Sequence, residues 1–396
     1  MALSTALFAT NEFQKEWLAK LEQLRTQIEQ SARKNDENGQ FPINNIEALV
    51  KLGYTSLALP TSYGGSGLST SDLVLFQETL GSMDGATALS ISWHQGVVGE
   101  IYEKRLWTEE QLSFFAEEVK KGALVNRAVS EAQTGSPTRG GRPGTQAVRS
   151  GDTWVINGEK TFTTMSPYLT YYLTGVWIEE KQAVGFFLIH RDTEGISIRE
   201  NWNMVGMRST ESHDLILKDV KVDDFYLVEV NNGPRGSNVN AWMTHIPANY
   251  LGIAQAARDY AVAYATKHSP NSISGTISDL PNVQTAIGEI DLLMMQSRHI
   301  IYSVTRAYDN EITRPLINNE IGVVKHTVVN NSIQVVDKAM RIVGSKSLEL
   351  ACPLQRHYRD VRAGLHNPPM DDMTISKLAQ KAIEDIKAAD TPQNNE

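Results

Sequence analysis

The chain has 396 residues, 41% hydrophobic and 21% charged, which is enough apolar material for real cores and excludes a disordered, collagen-like or disulfide-stapled protein. Its 37 Lys and Arg against 46 Asp and Glu leave a net charge of −9, which argues against nonspecific nucleic-acid binding but permits a local basic pocket. Cys352 is the only cysteine, so neither an intrachain disulfide nor a thiolate metal cluster can form.

The first ten residues carry no basic leader and run into Asn11-Glu12. The longest charge-free stretch, 237–257, is interrupted by Ser, Asn, Thr, His and Pro. Both features predict a cytoplasmic chain with no membrane span. Asn330-Asn331-Ser332 would be a glycosylation site only in a secreted chain.

Residues 1–121 read as a helical domain. Phe13, Trp17, Leu21, Leu24 and Ile28 recur at three- and four-residue spacing with charges between them, which predicts an amphipathic helix. Ile46, Leu49 and Leu52 continue the pattern up to Gly53, a helix stop. Ser71-Asp72 is expected to cap a second helix ahead of Leu73, Leu75 and Phe76, and a third spans Glu109 to Lys120.

Residues 122–235 change to a period of two. Asn157-Gly158 predicts a tight hairpin between strands at Trp154 to Ile156 and Lys160 to Thr164. Tyr171 to Ile178, Ala183 to His190 and Leu215 to Val222 read as further strands. No helix-length segment separates them, so an antiparallel sheet is expected.

Residues 236–396 return to the helical period. One stripe runs from Tyr250 to Tyr264, a second from Ile287 to Ile301 and a third from Val329 to Met340. A last helix covers about Met373 to Lys387. Ser269 to Pro281 is a loop by composition. The expected fold is therefore α+β and multidomain: an N-terminal helical domain, a central antiparallel β domain and a C-terminal four-helix bundle.

Several motif readings fail on physical grounds. Gly135, Gly140, Gly141 and Gly144 lack the Lys of a nucleotide loop and lead into a strand instead of a helix N-terminus. The nine histidines show no metal-ligand spacing, and no Gly-x-Ser-x-Gly elbow is present.

The order helices, β domain, bundle is matched by local motifs. Gly53-Tyr-Thr-Ser-Leu-Ala-Leu-Pro60 with Tyr63-Gly-Gly-Ser-Gly67, Val129-Ser-Glu-Ala-Gln-Thr-Gly-Ser136 and Asn157-Gly-Glu-Lys-Thr-Phe-Thr-Thr164 resemble signatures of the acyl-CoA dehydrogenase family. So do Gly206-Met-Arg-Ser-Thr210 with Leu217 to Val222, and Gly344 with Arg359-Asp360. The resemblance implies a flavin, FAD with FMN left open, between the β domain and the bundle. Ser130 would then give a hydroxyl to the pyrimidine edge and Ser136 would bond the pyrophosphate. Phe162 would wall the ring, and Thr164 would sit near N5. It implies Arg341 and Gly344 at the contact where a second subunit completes the cofactor site, hence a homo-oligomer, a dimer of dimers. It also implies an acyl-CoA or related thioester substrate and either an electron-transfer flavoprotein or a flavin reductase as partner.

The chain departs from the family at several of these positions. The Arg expected to reach the partner's cofactor is His268, a nearby Phe is Asn271, a bundle Gln is Pro281, and the second Gly of the Gly-Gly pair is Ser345. The usual catalytic Glu is Pro368, and its alternative place is Trp242. Asp371, Asp372 and His366 lie on the segment that would carry the base and are its candidates, in that order. The leading reading is an acyl-CoA dehydrogenase with a displaced base, introducing an α,β double bond into an acyl thioester; the alternatives are a flavin-dependent monooxygenase of the same fold, whose relatives carry a segment similar to Leu365-His-Asn-Pro368, and a non-catalytic flavoprotein.

Overall fold

The computed structural model describes residues 3–134, 141–231 and 240–390. Six helices come first: α1 (Leu3–Ala6), α2 (Glu12–Asn38), α3 (Ile43–Lys51), α4 (Thr70–Met83), α5 (Gly85–Lys104) and α6 (Glu109–Lys120). Helix α2 opens on Asn11, whose side chain accepts Gln14 N at 2.8 Å. The cap of α4 is Ser69, not the predicted Ser71-Asp72. Asp72 is the acid of that capping box and accepts from Ser69 N at 3.0 Å. Helix α5 has no counterpart among the predicted elements. It is buried along most of its length, so it shows no polar face for periodicity to detect.

Eight strands follow: β1 (Val125–Ala128), β2 (Gln146–Ser150), β3 (Thr153–Lys160), β4 (Tyr171–Ile178), β5 (Ala183–His190), β6 (Ile196–Arg199), β7 (Asp214–Asp223) and β8 (Leu227–Asn231). They form one sheet in the order β6-β7-β3-β2-β4-β5-β8, with β1 also paired to β4. Most pairings are antiparallel as expected. The exceptions are β1 and β2, which lie one after the other along the same side of β4 and both run parallel to it.

Asn157-Gly158 is not a hairpin turn. Strand β3 runs straight through it, and the pair forms a bulge against β7 between Ile156 and Gly158. Asn157 is occupied there by Asp219, accepting its N–H at 2.8 Å and donating to its carboxylate at 3.1 Å. Gly158, at φ 151°, is required by close approach, since a Cβ would stand 2.5 Å from the Thr145 hydroxyl. The β2–β3 hairpin instead turns at Gly151-Asp152, where Gly151 takes φ 62°.

The last segment holds α7 (His245–Ala265), α8 (Pro281–Asp309), α9 (Glu320–Val343), α10 (Pro353–Val361) and α11 (Asp371–Asp390). Helices α7, α8 and α9 pack together with α4 laid along α7 and α8, so the N-terminal helices and the bundle share one core. Helix α11 is rooted on α9 through its first turn, where Thr374 is buried, and every side chain from residue 375 to 389 is exposed. No helix among the described residues is long and apolar enough to cross a membrane.

Candidate functional site: a cleft between the β domain and the helices

A cleft of about 1950 Å³ separates the β domain from α5 and the C-terminal helices. Its β-domain wall is built where two chain segments meet: Thr161 N donates to Ser130 O at 2.8 Å, joining the end of β1 to the end of β3. Three predicted residues, Ser130, Phe162 and Thr164, line this wall. Phe162 is 59% exposed and adopts φ 55°, a left-handed conformation that an aromatic residue rarely takes. Trp202 meets it edge to face at a centroid distance of 5.9 Å. The Thr164 hydroxyl pairs with Ser212 at 2.9 Å, and Ser212 with Thr210 at 2.8 Å, giving a chain of hydroxyls along the wall. Phe162, Met204 and Val205 are large apolar side chains left uncovered at this wall. An apolar aromatic surface rimmed by hydroxyl groups fits a planar, electron-accepting ring, which needs water excluded from its face and donors at its edge. Ser136 lies outside the described residues.

The helical wall is shared by α5, whose Leu89, Trp93, Glu100, Glu103 and Lys104 face the cleft, and by C-terminal segments that bring Tyr308, Ile321, Arg362 and His366. Gly99 lets Trp242 press against this helix, since a Cβ there would stand 2.2 Å from the indole. Every carboxylate on the cleft is already held. Glu100 contacts Lys104 at 2.6 Å and Arg127 at 3.2 Å, and Glu229 contacts Arg127 at 3.0 Å. Glu103 accepts from Tyr308 at 2.7 Å and from the Trp242 indole at 3.2 Å. Burial alone would raise the Glu131 carboxyl, but Lys160, the Thr145 hydroxyl and Gly144 N–H together hold it down at about 2. The segments 135–140 and 232–239 contain no Asp or Glu.

The three candidates for the base separate in space. His366 lines the cleft. Asp371 does not; it is tied to Lys325 at 3.1 Å and Asn330 at 3.0 Å. Partial burial favours its neutral form, but Asn330 and Lys325 outweigh that and hold it below its ordinary value. Asp372 is exposed at the start of α11 and is also absent from the lining. The prolines at 368 and 369 do line the cleft, so the family's usual Glu position faces it with Pro368.

Arg341 and Gly344 are exposed at the end of α9, away from this cleft. Arg341 borders a second cavity of about 460 Å³ with Glu289, Gln334, Asp337 and Lys338. No group of three or more metal-ligating side chains occurs among the described residues.

Sequence reasoning missed the α5 residues together with Arg127, Glu131, Lys160 and Ser212. Glu131 and Lys160 stood inside quoted motifs, so a signal existed for them. None existed for α5.

Family models match the chain in three consecutive parts: acyl-CoA dehydrogenase N-terminal domain over 11–119, middle domain over 126–220 and C-terminal domain over 245–367. A putative acyl-CoA dehydrogenase, YdbM of Bacillus subtilis (strain 168), is 53% identical over 379 residues, covering 96% of this chain and 100% of that protein. The solved butyryl-CoA dehydrogenase of Megasphaera elsdenii superposes with a TM-score of 0.83 at 19% identity, covering 94% of this chain and 99% of that one. Methanesulfinate monooxygenase MsuC of Pseudomonas fluorescens superposes with a TM-score of 0.80 at 20% identity, covering 93% and 97%. With its three domains matched in order and more than half its residues shared along the full length of YdbM, the chain belongs to the acyl-CoA dehydrogenase family.

Proposed function

We propose that the chain is a flavin-dependent oxidoreductase of the oxygen-using, monooxygenase type. One observation carries this reading. The segment that would deliver a base brings His366 to the cleft, while each carboxylate on the cleft is bound to cations or N–H and O–H donors. Abstracting the weakly acidic α-proton of a thioester needs a base within hydrogen-bond reach, and a carboxylate locked to cations is a poor one. Phe162 would wall the flavin ring, Ser130 and Thr164 would meet its edge, and His366 would hold or pass a proton at the reacting atom of the substrate. A bound flavin, reduced by a separate reductase, would supply two electrons for dioxygen activation, with one oxygen entering the substrate and the other leaving as water.

The test is anaerobic mixing of the oxidised holoprotein with acyl-CoAs of several lengths, followed by oxygen uptake with the reduced protein. No acyl-CoA should bleach the flavin. His366→Ala should lower coupled turnover by about 10²-fold or more, the usual worth of a positioned proton carrier, with flavin affinity unchanged. A second reading, α,β-dehydrogenation of an acyl-CoA with electrons passed to an electron-transfer flavoprotein, is favoured by Glu103. Its carboxylate faces the cleft beside Trp242, where some family members carry the base. The name of YdbM supports that reading too. Bleaching by an acyl-CoA, lost in Glu103→Gln, would replace the first reading with the second.

We propose further that the functional form is a homo-oligomer in which α11 meets a second copy. Ile375, Leu378, Ala379, Ala382, Ile383 and Ile386 make an apolar stripe at helical spacing, and all are exposed. Leu292 and Met295 on α8, also exposed, are an apolar surface that could receive such a helix. Met373 and Lys377, on the same helix, line the cleft, so its placement affects the site. Truncation after residue 374 is expected to lower the oligomeric state seen by light scattering. An unchanged mass would rule out this contact.

A further inference from the structure

Lys160 ends β3 with 0% of its surface exposed, and its ammonium stands 2.6 Å from the Glu131 carboxylate. Glu131 takes more than this one bond. It accepts from the Thr145 hydroxyl at 2.7 Å and Thr145 N at 3.1 Å, from Gly144 N at 2.6 Å and from the Thr134 hydroxyl at 2.9 Å. One carboxylate thus joins three pieces of chain: the end of β1, the approach to β2 and the end of β3. Ser130 immediately precedes Glu131, and Phe162 lies two residues beyond Lys160, so the pair ties together the two chain segments that carry these cleft residues.

A buried ion pair costs desolvation that well-packed apolar side chains would avoid, so general stability is a weak reason for one here. Position is a better reason, because a fully satisfied polar network fixes one arrangement. From this we infer that Glu131 and Lys160 are positioning residues that hold the Ser130 hydroxyl and the Phe162 ring in register on the two sides of the flavin edge. The inference rests on the flavin reading above. Burial pulls the Lys160 ammonium downward and Glu131 opposes this, while Lys160 and the other donors hold the Glu131 carboxyl low. Neither side chain takes part in proton transfer. Glu131 borders the cleft with its acceptor capacity spent on the five donors named, and Lys160 does not reach it.

The test uses the full chain with wild type as reference, titrated with FAD and with FMN. Three variants are compared: E131Q/K160M, which is neutral at similar volume, E131D, which shortens the arm, and K160R, which keeps the charge. Flavin dissociation constants, the flavin midpoint potential and the melting temperature of the flavin-free protein are read for each. The double variant and E131D should bind flavin about tenfold or more weakly with a displaced midpoint potential, the scale of a displaced supporting residue, while K160R recovers most of the affinity. E131D and K160R keep the comparison decisive if the double variant does not fold. Wild-type affinity and potential in E131D and in any folded double variant, whatever their melting temperatures, would overturn the inference and leave the pair structural only. Failure of the wild type itself to bind either flavin would end the flavin reading and this inference with it, and it would be seen before any variant is compared.

Discussion

Arg298→Ala should destabilise the protein by about 3–5 kcal/mol, the cost of leaving a buried charge without its partner. Arg298 is 4% exposed on α8 and donates to Glu78 on α4 at 2.7 Å and to Gln255 on α7 at 2.5 Å. Tyr302, one turn further along α8, donates to the other oxygen of Glu78 at 2.7 Å. The network therefore bolts an N-terminal helix to two bundle helices, and no water can replace the missing guanidinium without entering the core. Tyr302→Phe removes a single bond to a charged acceptor and should cost less, about 1.5–3 kcal/mol. Urea unfolding of the two variants at pH 7.5 measures the difference. A loss below about 1 kcal/mol for Arg298→Ala, the scale of an exposed pair, would show that the pair is solvated in solution and contributes little to the junction.

The same network shows why some of this protein could be read from its residues and some could not. Strands β4 and β5 were legible end to end because their β-branched and aromatic runs are bounded by turns. Helix α6 was legible because a charged first turn precedes a clear apolar stripe. Helix α5 was not, since Gly85 to Lys104 is buried on nearly every face, with Ser90, Ser92, His94 and Gln95 inside along with its apolar residues, and so offers no period, although it forms part of one wall of the cleft. Asn157-Gly158 has the composition of a turn, and tertiary contact with Asp219 and Thr145 made it a bulge. The β-domain wall could be anticipated because Ser130, Phe162 and Thr164 sit in short contiguous motifs. The fate of Asp371 could not, because Lys325 and Asn330 reach it from a helix some forty residues away. Local sequence carries strands and motifs well. It carries poorly a choice made by side chains that meet only after the helices have packed.

Stability should fall steeply as the solution is acidified below pH 6.5, and three buried histidines are the main reason. Burial pushes His94 down to about 4 and His245 to about 3. It also pushes His357, with Arg356 nearby, to about 3. His94 is built to be neutral: its Nδ1 accepts from Val125 N at 3.2 Å, and its Nε2 lies 2.9 Å from Thr55 O, to which it donates. For each ring the folded value lies below the unfolded one, so between about pH 6.5 and 4 the unfolded chain binds a proton that the folded chain refuses. Unfolding is then favoured as pH falls, by about 1.4 kcal/mol per pH unit for each histidine. Asp360 works in the opposite direction. Burial raises its carboxyl to about 7 despite Arg356 and the Met207 N–H, so over the same range the folded chain holds a proton that the unfolded chain has released. Three protons taken up on unfolding against one released leaves two, or about 3 kcal/mol of stability lost per pH unit. Urea midpoints measured from pH 7.5 down to 5 should fall continuously through this window. His357→Gln removes one titrating ring and should flatten the slope, whereas Asp360→Asn removes the opposing group and should steepen it. A midpoint that stays level between pH 7 and 5 in the wild type would show that these rings are hydrated in solution and titrate as ordinary histidines.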